Sequence, residues 1–297
     1  CAIESSPDLE RESGTVDPVL RVIRIDRADS SPMAVIANYG MHPVTLRSDN
    51  LKISADFPGE FARQIKESLG CDAMFLQGPC GDVIPKLFGT AGKMRTVGRH
   101  LGEKAIEICQ KIESFDREEL ITASETVPLP YERPPSKQWL QEFIKEIESD
   151  KDYRKSLWKR NDLEWARELL NIYDSGKKPA SHIAAQVQLV RLGDIVIIFL
   201  PGEVFVETGR RIRSCVLCDQ VFVVTNSNEG AIGYLLTKDM FGQSGYEVQS
   251  AYRFYGLSRI CSDAEQRIVN CALDLVKKAG IPVREDNPEQ VWQGGKQ

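Results

Sequence analysis

Four polar features of this sequence lie where predicted strands end, and their side chains suit metal-assisted hydrolysis. They are His42, the Gly81-Asp82 loop, Glu203 and the stretch from Asn226 to Tyr246, which includes Tyr234. Imidazole nitrogen, carboxylate oxygen and phenol oxygen suit Zn²⁺, which in catalytic sites takes three protein ligands and leaves one position for water. Such a metal would polarise a carbonyl and lower the pKa of bound water, and a second tyrosine would stabilise the oxyanion.

Each of these features also has a plainer structural interpretation. A histidine before proline, as in His42-Pro43, is more often a hydrogen-bonded structural residue than a ligand. The Pro201-Gly202-Glu203 turn is typical of a helix start, where the carboxylate favours the helix dipole. The other two histidines of the chain do not extend the set, because His100 lies in a helical pattern and His182 in a polar loop. Spacing alone therefore leaves the choice between a zinc site and structural roles open.

Periodic patterns predict the elements that position these residues. Strands are predicted over 19–25, 33–39, 73–76, 120–129, 184–192, 194–200 and 221–224. Helices are predicted over 56–69, 97–112 and 204–212, and from a capping box of Ser262 and Glu265 to Gly280. Because strands alternate with helices, the sequence predicts an α/β fold with a mixed β-sheet core, flanking helices and a site at the carboxyl ends of strands.

Residues 133–178 form a charged segment of different character, which we name the helical excursion. Its tryptophans and aliphatic residues recur at helical spacing, so we expect two amphipathic helices packed on the core. No chemistry is predicted for this segment. The chain is otherwise interpreted as a single domain over 1–297.

Composition excludes some classes of function. The 297 residues carry a net charge of −5, with 42% hydrophobic and 27% charged residues, so no basic footprint indicates nucleic-acid binding. No apolar run has the length of a membrane span, and neither a signal-peptide pattern nor a Lys/Arg-rich run appears. The eight cysteines are interpreted as mainly buried thiols, Cys215 and Cys218 included. A weaker hypothesis makes Cys1 an N-terminal nucleophile released by processing.

Five ordered sequence blocks carry a family resemblance. They are IANYGMHPVT at 36–45, ISADFPG at 53–59, MFLQGPCGDVIP at 74–85, LPGE at 200–203, and the pair IGY at 232–234 and GYE at 245–247. Together they resemble the catalytic domain of the neutral, non-lysosomal ceramidases.

The resemblance implies zinc as the cofactor, with His42, Glu203 and Tyr234 as its ligands. Tyr246 would assist the tetrahedral intermediate by hydrogen bonding, and Asp82 with Gly81 would shape a loop against the metal. The implied activity is the hydrolysis of an amide (N-acyl) or related carbonyl bond in a small-molecule or lipid-like substrate.

The sequence also departs from the family pattern. Ile84 stands where the ceramidases carry a catalytic serine, so ceramide itself is not the expected substrate. The family's upstream histidine motif, which adds a zinc ligand and a catalytic His, and its C-terminal immunoglobulin-like domain are not found in the chain, which we expect to be partial. These departures give an alternative hypothesis: a catalytically silent, truncated or degenerate family member that binds a ligand in the remnant pocket.

Overall fold

Two four-stranded mixed sheets form the centre of a computed structural model that describes residues 2–5, 15–116, 119–228 and 232–284. The first sheet has the order β1-β2-β3-β4, with antiparallel pairs except for the parallel pair β3–β4. Its strands are β1 (Ala2–Ser5), β2 (Val19–Asp26), β3 (Pro32–Tyr39) and β4 (Asp72–Gln77).

The second sheet repeats this pattern, with the order β5-β6-β7-β9 and a parallel pair β7–β9 at one edge. Its strands are β5 (Leu120–Pro130), β6 (His182–Leu192), β7 (Ile195–Pro201) and β9 (Gln220–Ser227). Two short strands, β8 (Glu203–Val204) and β10 (Tyr234–Leu235), pair in parallel beside it.

The two sheets pack on each other through one face of each. Ile23 and Ile36 of the first sheet cluster with Ile197 and Phe222 of the second. Asn38 lies at this junction, and its side-chain amide donates hydrogen bonds to Leu76 O at 3.0 Å in β4 and to Val223 O at 3.1 Å in β9. The amide therefore joins the two sheets where their parallel strand pairs meet.

Helices cover the outer faces, because alternate strand residues point away from the junction. Helices α1 (Asp56–Leu69) and α2 (Ala91–Lys111) share a buried cluster with β2 and β3. Helices α5 (Val206–Cys215) and α8 (Ala264–Lys278) share another with the second sheet. The predicted α/β class with flanking helices is confirmed, and the mixed core consists of two sheets between helical layers.

The helical excursion folds as the two predicted amphipathic helices, α3 (Lys137–Ser149) and α4 (Leu157–Asp174). It packs against the segment that contains α6 (Tyr246–Gln249) and α7 (Ala251–Phe254). The Trp165 Nε1 donates to Leu257 O at 2.8 Å, and the Arg253 guanidinium lies 5.0 Å from the centre of the Trp165 ring. Asp162 of α4 pairs with the same guanidinium at 3.1 Å. The excursion is thus joined to the part of the chain that carries Tyr246.

The predicted helix over 204–212 is wrong at its start. Glu203 and Val204 form strand β8, and α5 begins at Val206. Pairing of β8 with β10 supplies the partners that a helical turn would otherwise provide, since Glu203 N donates to Gly233 O at 2.9 Å. Glu203 is therefore positioned by a strand rather than by a helix dipole.

The predicted capping box of Ser262 and Glu265 is also wrong. Asp263 is the residue before the helix, and no side chain caps α8 there. Glu265 is buried and accepts a hydrogen bond from Thr208 Oγ1 at 2.9 Å, with Arg211 at 3.5 Å. Tertiary partners on α5 thus replace the local backbone contact that the sequence pattern suggested.

In the part of the chain that the structure describes, the interpretation of the cysteines as mainly buried thiols holds, except that Cys218 is only partly buried. Seven cysteines are free there, and five of them are buried. Cys1 lies outside the described residues. Among the described helices, none combines the length and apolar character that crossing a membrane requires.

Candidate functional site

The loops that follow β3, β4 and β7 converge at the carboxyl ends of their strands. Gly78 N, just after β4, donates to Tyr39 O at 2.9 Å, at the end of β3. His42 N donates to Val83 O at 3.1 Å, and Gly81 N donates to Val204 O at 2.9 Å. This backbone network brings the His42 loop, the Gly81-Asp82 loop and strand β8 together, as expected for a site at strand ends.

Gly202 makes the tight turn that delivers Glu203 into this network. Its φ of +73° lies in the left-handed region, and a Cβ there would lie 2.4 Å from Gly233 O. Only glycine satisfies both constraints without strain. The register of the β8–β10 pair then sets Glu203 directly beside Tyr234.

Four of the predicted site residues lie in a connected group. His42 Nε2 is 3.3 Å from Glu203 Oε2, and both side chains are mostly buried. The Tyr234 hydroxyl hydrogen-bonds to Glu203, and the Tyr234 ring centre is 6.5 Å from that of His42. Tyr246 follows with its ring centre 6.0 Å from that of Tyr234.

Tyr255 is a further member of the group that the sequence analysis missed. Its hydroxyl donates a hydrogen bond to Glu203 Oε1. Glu203 therefore has His42 beside one oxygen and Tyr255 on the other, with Tyr234 also bonded to the carboxylate. The position of Tyr255 just after α7 gave no periodic or motif signal for this contact.

The tyrosines of the group remain protonated at neutral pH. Burial, the negative charge of Glu203 and the hydrogen bond to it raise the pKa of Tyr234. Burial, the hydrogen bond to Glu203 and the negative charge of Glu203 raise the pKa of Tyr255. Burial and the Glu203 and Glu247 charges raise the pKa of Tyr246. Tyr234 and Tyr255 therefore keep the protons that bond to Glu203, and Tyr246 keeps a proton that it can donate to another acceptor in the site.

Asp82 makes a positioning contact at this site. Its Oδ1 accepts a hydrogen bond from Val206 N at 2.9 Å, in the first turn of α5. A carboxylate at a helix N-terminus satisfies a free amide and favours the helix dipole. Asp82 thereby ties the loop after β4 to the chain that follows Glu203.

An aromatic wall extends from the site to the helical excursion. Trp158 of α4 lies edge-to-face on Tyr246, with ring centres 4.9 Å apart, and on Phe254, with ring centres 4.8 Å apart. The Trp158 side chain is half exposed, so part of this wall faces solvent. No chemistry was predicted for the excursion, because its tryptophans share the spacing of ordinary helix-packing residues.

The remaining ionisable candidates do not enlarge the group into a larger metal cluster. His100 lies on α2, and His182 is exposed at the start of β6. Within the described residues, no three His, Cys, Asp or Glu side chains come together as a metal-binding group. A third protein donor to a metal held by His42 and Glu203 would therefore come from one of the tyrosines of the group.

Two solved structures share this arrangement of sheets and helices. One is the neutral ceramidase from Pseudomonas aeruginosa, with a TM-score of 0.59 and 18% identity over 91% of this chain and 48% of that one. The other, a ceramidase complexed with C2, has a TM-score of 0.61 and 16% identity over 92% of this chain and 50% of that one. The chain has a ceramidase-like fold.

This likeness extends over only part of the solved ceramidases. The chain spans about half the length of each. No family model matches the sequence, and no curated protein matches it. The likeness is therefore structural, and it concerns the fold.

Proposed function

We propose that the chain carries part of the active site of a zinc-dependent hydrolase acting on an amide (N-acyl) or related carbonyl bond. The observation that carries this proposal is the contact of 3.3 Å between His42 Nε2 and Glu203 Oε2 at the strand ends of a ceramidase-like fold. The proposed substrate is a small or lipid-like N-acyl compound. Ceramide itself is not expected, because Ile84 occupies the position of the family's serine.

The donor set suits zinc. The imidazole of His42 and the carboxylate of Glu203 are common zinc ligands, and the phenol of Tyr234 would supply a less usual third oxygen donor. Hydrogen bonding from Tyr255 fixes the Glu203 carboxylate, a support that outer residues often give to metal ligands. Zinc held there would supply Lewis-acid polarisation of the scissile carbonyl.

The other residues bind and orient. Tyr246 donates a hydrogen bond to the carbonyl oxygen of the substrate as that oxygen gains negative charge. Asp82, bonded to Val206 N, keeps the loop after β4 in place. Trp158 and Phe254 flank Tyr246 and contact the apolar part of the substrate next to the reacting carbonyl.

A second candidate function is ligand binding without turnover. It is favoured by Ile84, whose side chain can neither donate nor accept a proton. It is also favoured because no three His, Cys, Asp or Glu side chains form a metal-binding group among the described residues. Under this alternative, the aromatic wall and the tyrosines hold an N-acyl compound that is released unchanged.

Turnover measurements separate the two functions. We expect the full chain, loaded with zinc, to hydrolyse a panel of N-acyl amides, and a chelator to abolish the reaction until zinc is restored. Tyr246→Phe should lower kcat by about 10²-fold with a smaller change in KM, since its hydrogen bond forms in the transition state. The matched control is Tyr173→Phe, which removes a hydroxyl bonded to Pro135 O on the excursion.

Each outcome decides between the proposals. Hydrolysis that chelation does not change would contradict zinc dependence. Saturable binding of the amides without hydrolysis would establish the silent alternative, and neither binding nor hydrolysis would reject both.

A further inference from the structure

Two neighbouring segments beside His42 form one continuous surface, which we name the loop face and define as residues 43–55 and 83–95. Both are loops except for residues 91–95, which begin α2. Gly89 N donates to Thr45 O at 2.7 Å, which joins the loops through their backbones. The Arg47 guanidinium lies 5.1 Å from the centre of the Phe88 ring, which joins them through side chains. The face borders the candidate site, because His42 N is bonded to Val83 O.

The loop face exposes large apolar side chains. Leu51 is 95% exposed and Ile53 is fully exposed, values far from the usual burial of these residue types. Its other exposed apolar residues are Val44, Ile84 and Phe88. Grouped exposed apolar residues mark interaction surfaces more often than single ones do.

The tip that carries Leu51 and Ile53 has a defined backbone. The Asn50 side chain donates to Lys52 O at 2.8 Å and accepts from Lys52 N at 3.3 Å. Asn50 N also donates to Arg47 O. These contacts present the two aliphatic side chains on either side of Lys52.

The loop face is basic, although the chain as a whole has a net charge of −5. It has a single acidic residue among its exposed side chains, Asp49. Its exposed cations are Arg47, Lys52, Lys86, Lys93 and Arg95. Cations interleaved with exposed aliphatic and aromatic side chains are the composition of surfaces that bind anionic membranes.

We propose that the loop face docks on an anionic phospholipid surface. Leu51 and Ile53 enter the acyl region, and the surrounding Lys and Arg side chains contact the headgroup phosphates. Docking in this way places the His42 loop next to the membrane, where a lipid-like molecule would reach the site. The proposal goes beyond the proposed function and does not depend on zinc or turnover.

Sedimentation with vesicles tests the proposal on the full chain. The vesicles contain either phosphatidylcholine alone or phosphatidylcholine with phosphatidylserine, at low and high salt. One variant combines Leu51→Ser and Ile53→Ser, and its matched control changes two exposed leucines elsewhere, Leu120→Ser and Leu217→Ser.

A second pair of variants tests charge. Arg47→Glu with Lys52→Glu reverses two cations of the loop face. Its matched control is Lys177→Glu with Lys178→Glu, at exposed positions at the end of the helical excursion. Circular dichroism and thermal unfolding check that each variant is folded.

We expect the chain to sediment with phosphatidylserine vesicles, weakly with phosphatidylcholine alone, and less in high salt. Both loop-face variants should partition onto phosphatidylserine vesicles about tenfold or more weakly than the parent chain. Each aliphatic side chain that enters the acyl region and each cation at the headgroups adds to the free energy of membrane binding. Both control variants should bind like the parent chain. Equal binding by all variants, or no preference for anionic vesicles, would overturn the proposal. So would a stable dimer in lipid-free solution that the Leu51→Ser and Ile53→Ser variant loses.

Discussion

Replacing Gly202 by alanine should disrupt the turn that delivers Glu203 to the site. The residue has a φ of +73°, and an added Cβ would lie 2.4 Å from Gly233 O and 2.5 Å from Ile232 Cγ1. The β8–β10 pair holds Glu203 N on Gly233 O, so the clash falls on the hydrogen bond that positions the carboxylate. Stability and the geometry of the Glu203 side chain should therefore change together.

The expected loss has three sources. The left-handed backbone costs an alanine about 1 to 2 kcal/mol. Relief of the close contacts adds about 1 to 3 kcal/mol, as for other overpacked sites. Loss of the Glu203–Gly233 hydrogen bond adds about 1 kcal/mol. The free energy of unfolding should fall by about 3 to 6 kcal/mol, a large share of the total for a typical domain.

Gly176 offers a matched control. It has the same φ of +73°, and an added Cβ would meet nothing within 4 Å. Gly176→Ala therefore carries the backbone penalty alone, about 1 to 2 kcal/mol. Urea unfolding of both variants measures the difference. If Gly202→Ala is destabilised no more than Gly176→Ala, the close approach to Gly233 does not constrain the turn.

Three further predictions concern the sheet junction, a half-buried carboxyl group and the aromatic wall. Asn38→Leu should lower the free energy of unfolding by about 2 to 4 kcal/mol in urea, because Leu76 O and Val223 O lose a buried donor. Burial raises the pKa of Glu207 to about 7, so its folded carboxyl holds a proton that the unfolded chain releases near pH 4.5. Stability should fall as pH rises from about 4.5 to about 7, and Glu207→Gln should remove about 1 kcal/mol of that fall, measured as Tm at pH 5 and pH 8. Trp158→Ala should weaken binding of an N-acyl amide about tenfold in calorimetric titration, because its half-exposed ring flanks the site.

Each of these three predictions has a result that would contradict it. An Asn38→Leu variant as stable as the parent would mean that the junction does not need the amide. Parallel pH profiles for the Glu207→Gln variant and the parent would place the titrating group elsewhere. Unchanged amide affinity in Trp158→Ala would separate the excursion from ligand binding.

The sequence patterns predicted elements whose partners are local. The periodicity predicted a helix over 56–69 with Phe57, Phe61, Ile65 and Leu69 on one face, and α1 has these bounds, with the first three side chains fully buried and Leu69 partly buried. Gly70 ends that helix in the left-handed conformation, as its position indicated. Such features follow from periodicity and from the backbone preference of single residues.

Features that depend on distant partners were not predictable in the same way. Strand β8 exists because Glu203 pairs with Tyr234, far along the chain, so the turn looked like a helix start. Glu265 matched a local capping pattern, but Thr208 and Arg211 on another helix bind it instead. An alternation of apolar and polar residues predicts a strand, but it does not predict which sheet the strand joins.

In the candidate site, too, sequence motifs indicated some residues, while others are brought to the site only by folding. Motifs drew attention to His42, Glu203 and Tyr234, and the structure brings them into contact, while their roles as zinc ligands stay predictions. Tyr255 and Trp158 carried no motif, because their relation to the site arises only from folding. The basic loop face escaped notice for a similar reason, since its cations come from two separate segments rather than one run.

Zinc content tests the central claim most directly. Elemental analysis of the full chain after purification with zinc would be compared with His42→Ala and Glu203→Ala, and with His182→Ala, an exposed histidine, as the matched control. We predict near-stoichiometric zinc in the parent and in His182→Ala, and its loss in the other two variants. A parent chain without zinc, or zinc retained in both His42→Ala and Glu203→Ala, would contradict the proposed metal site.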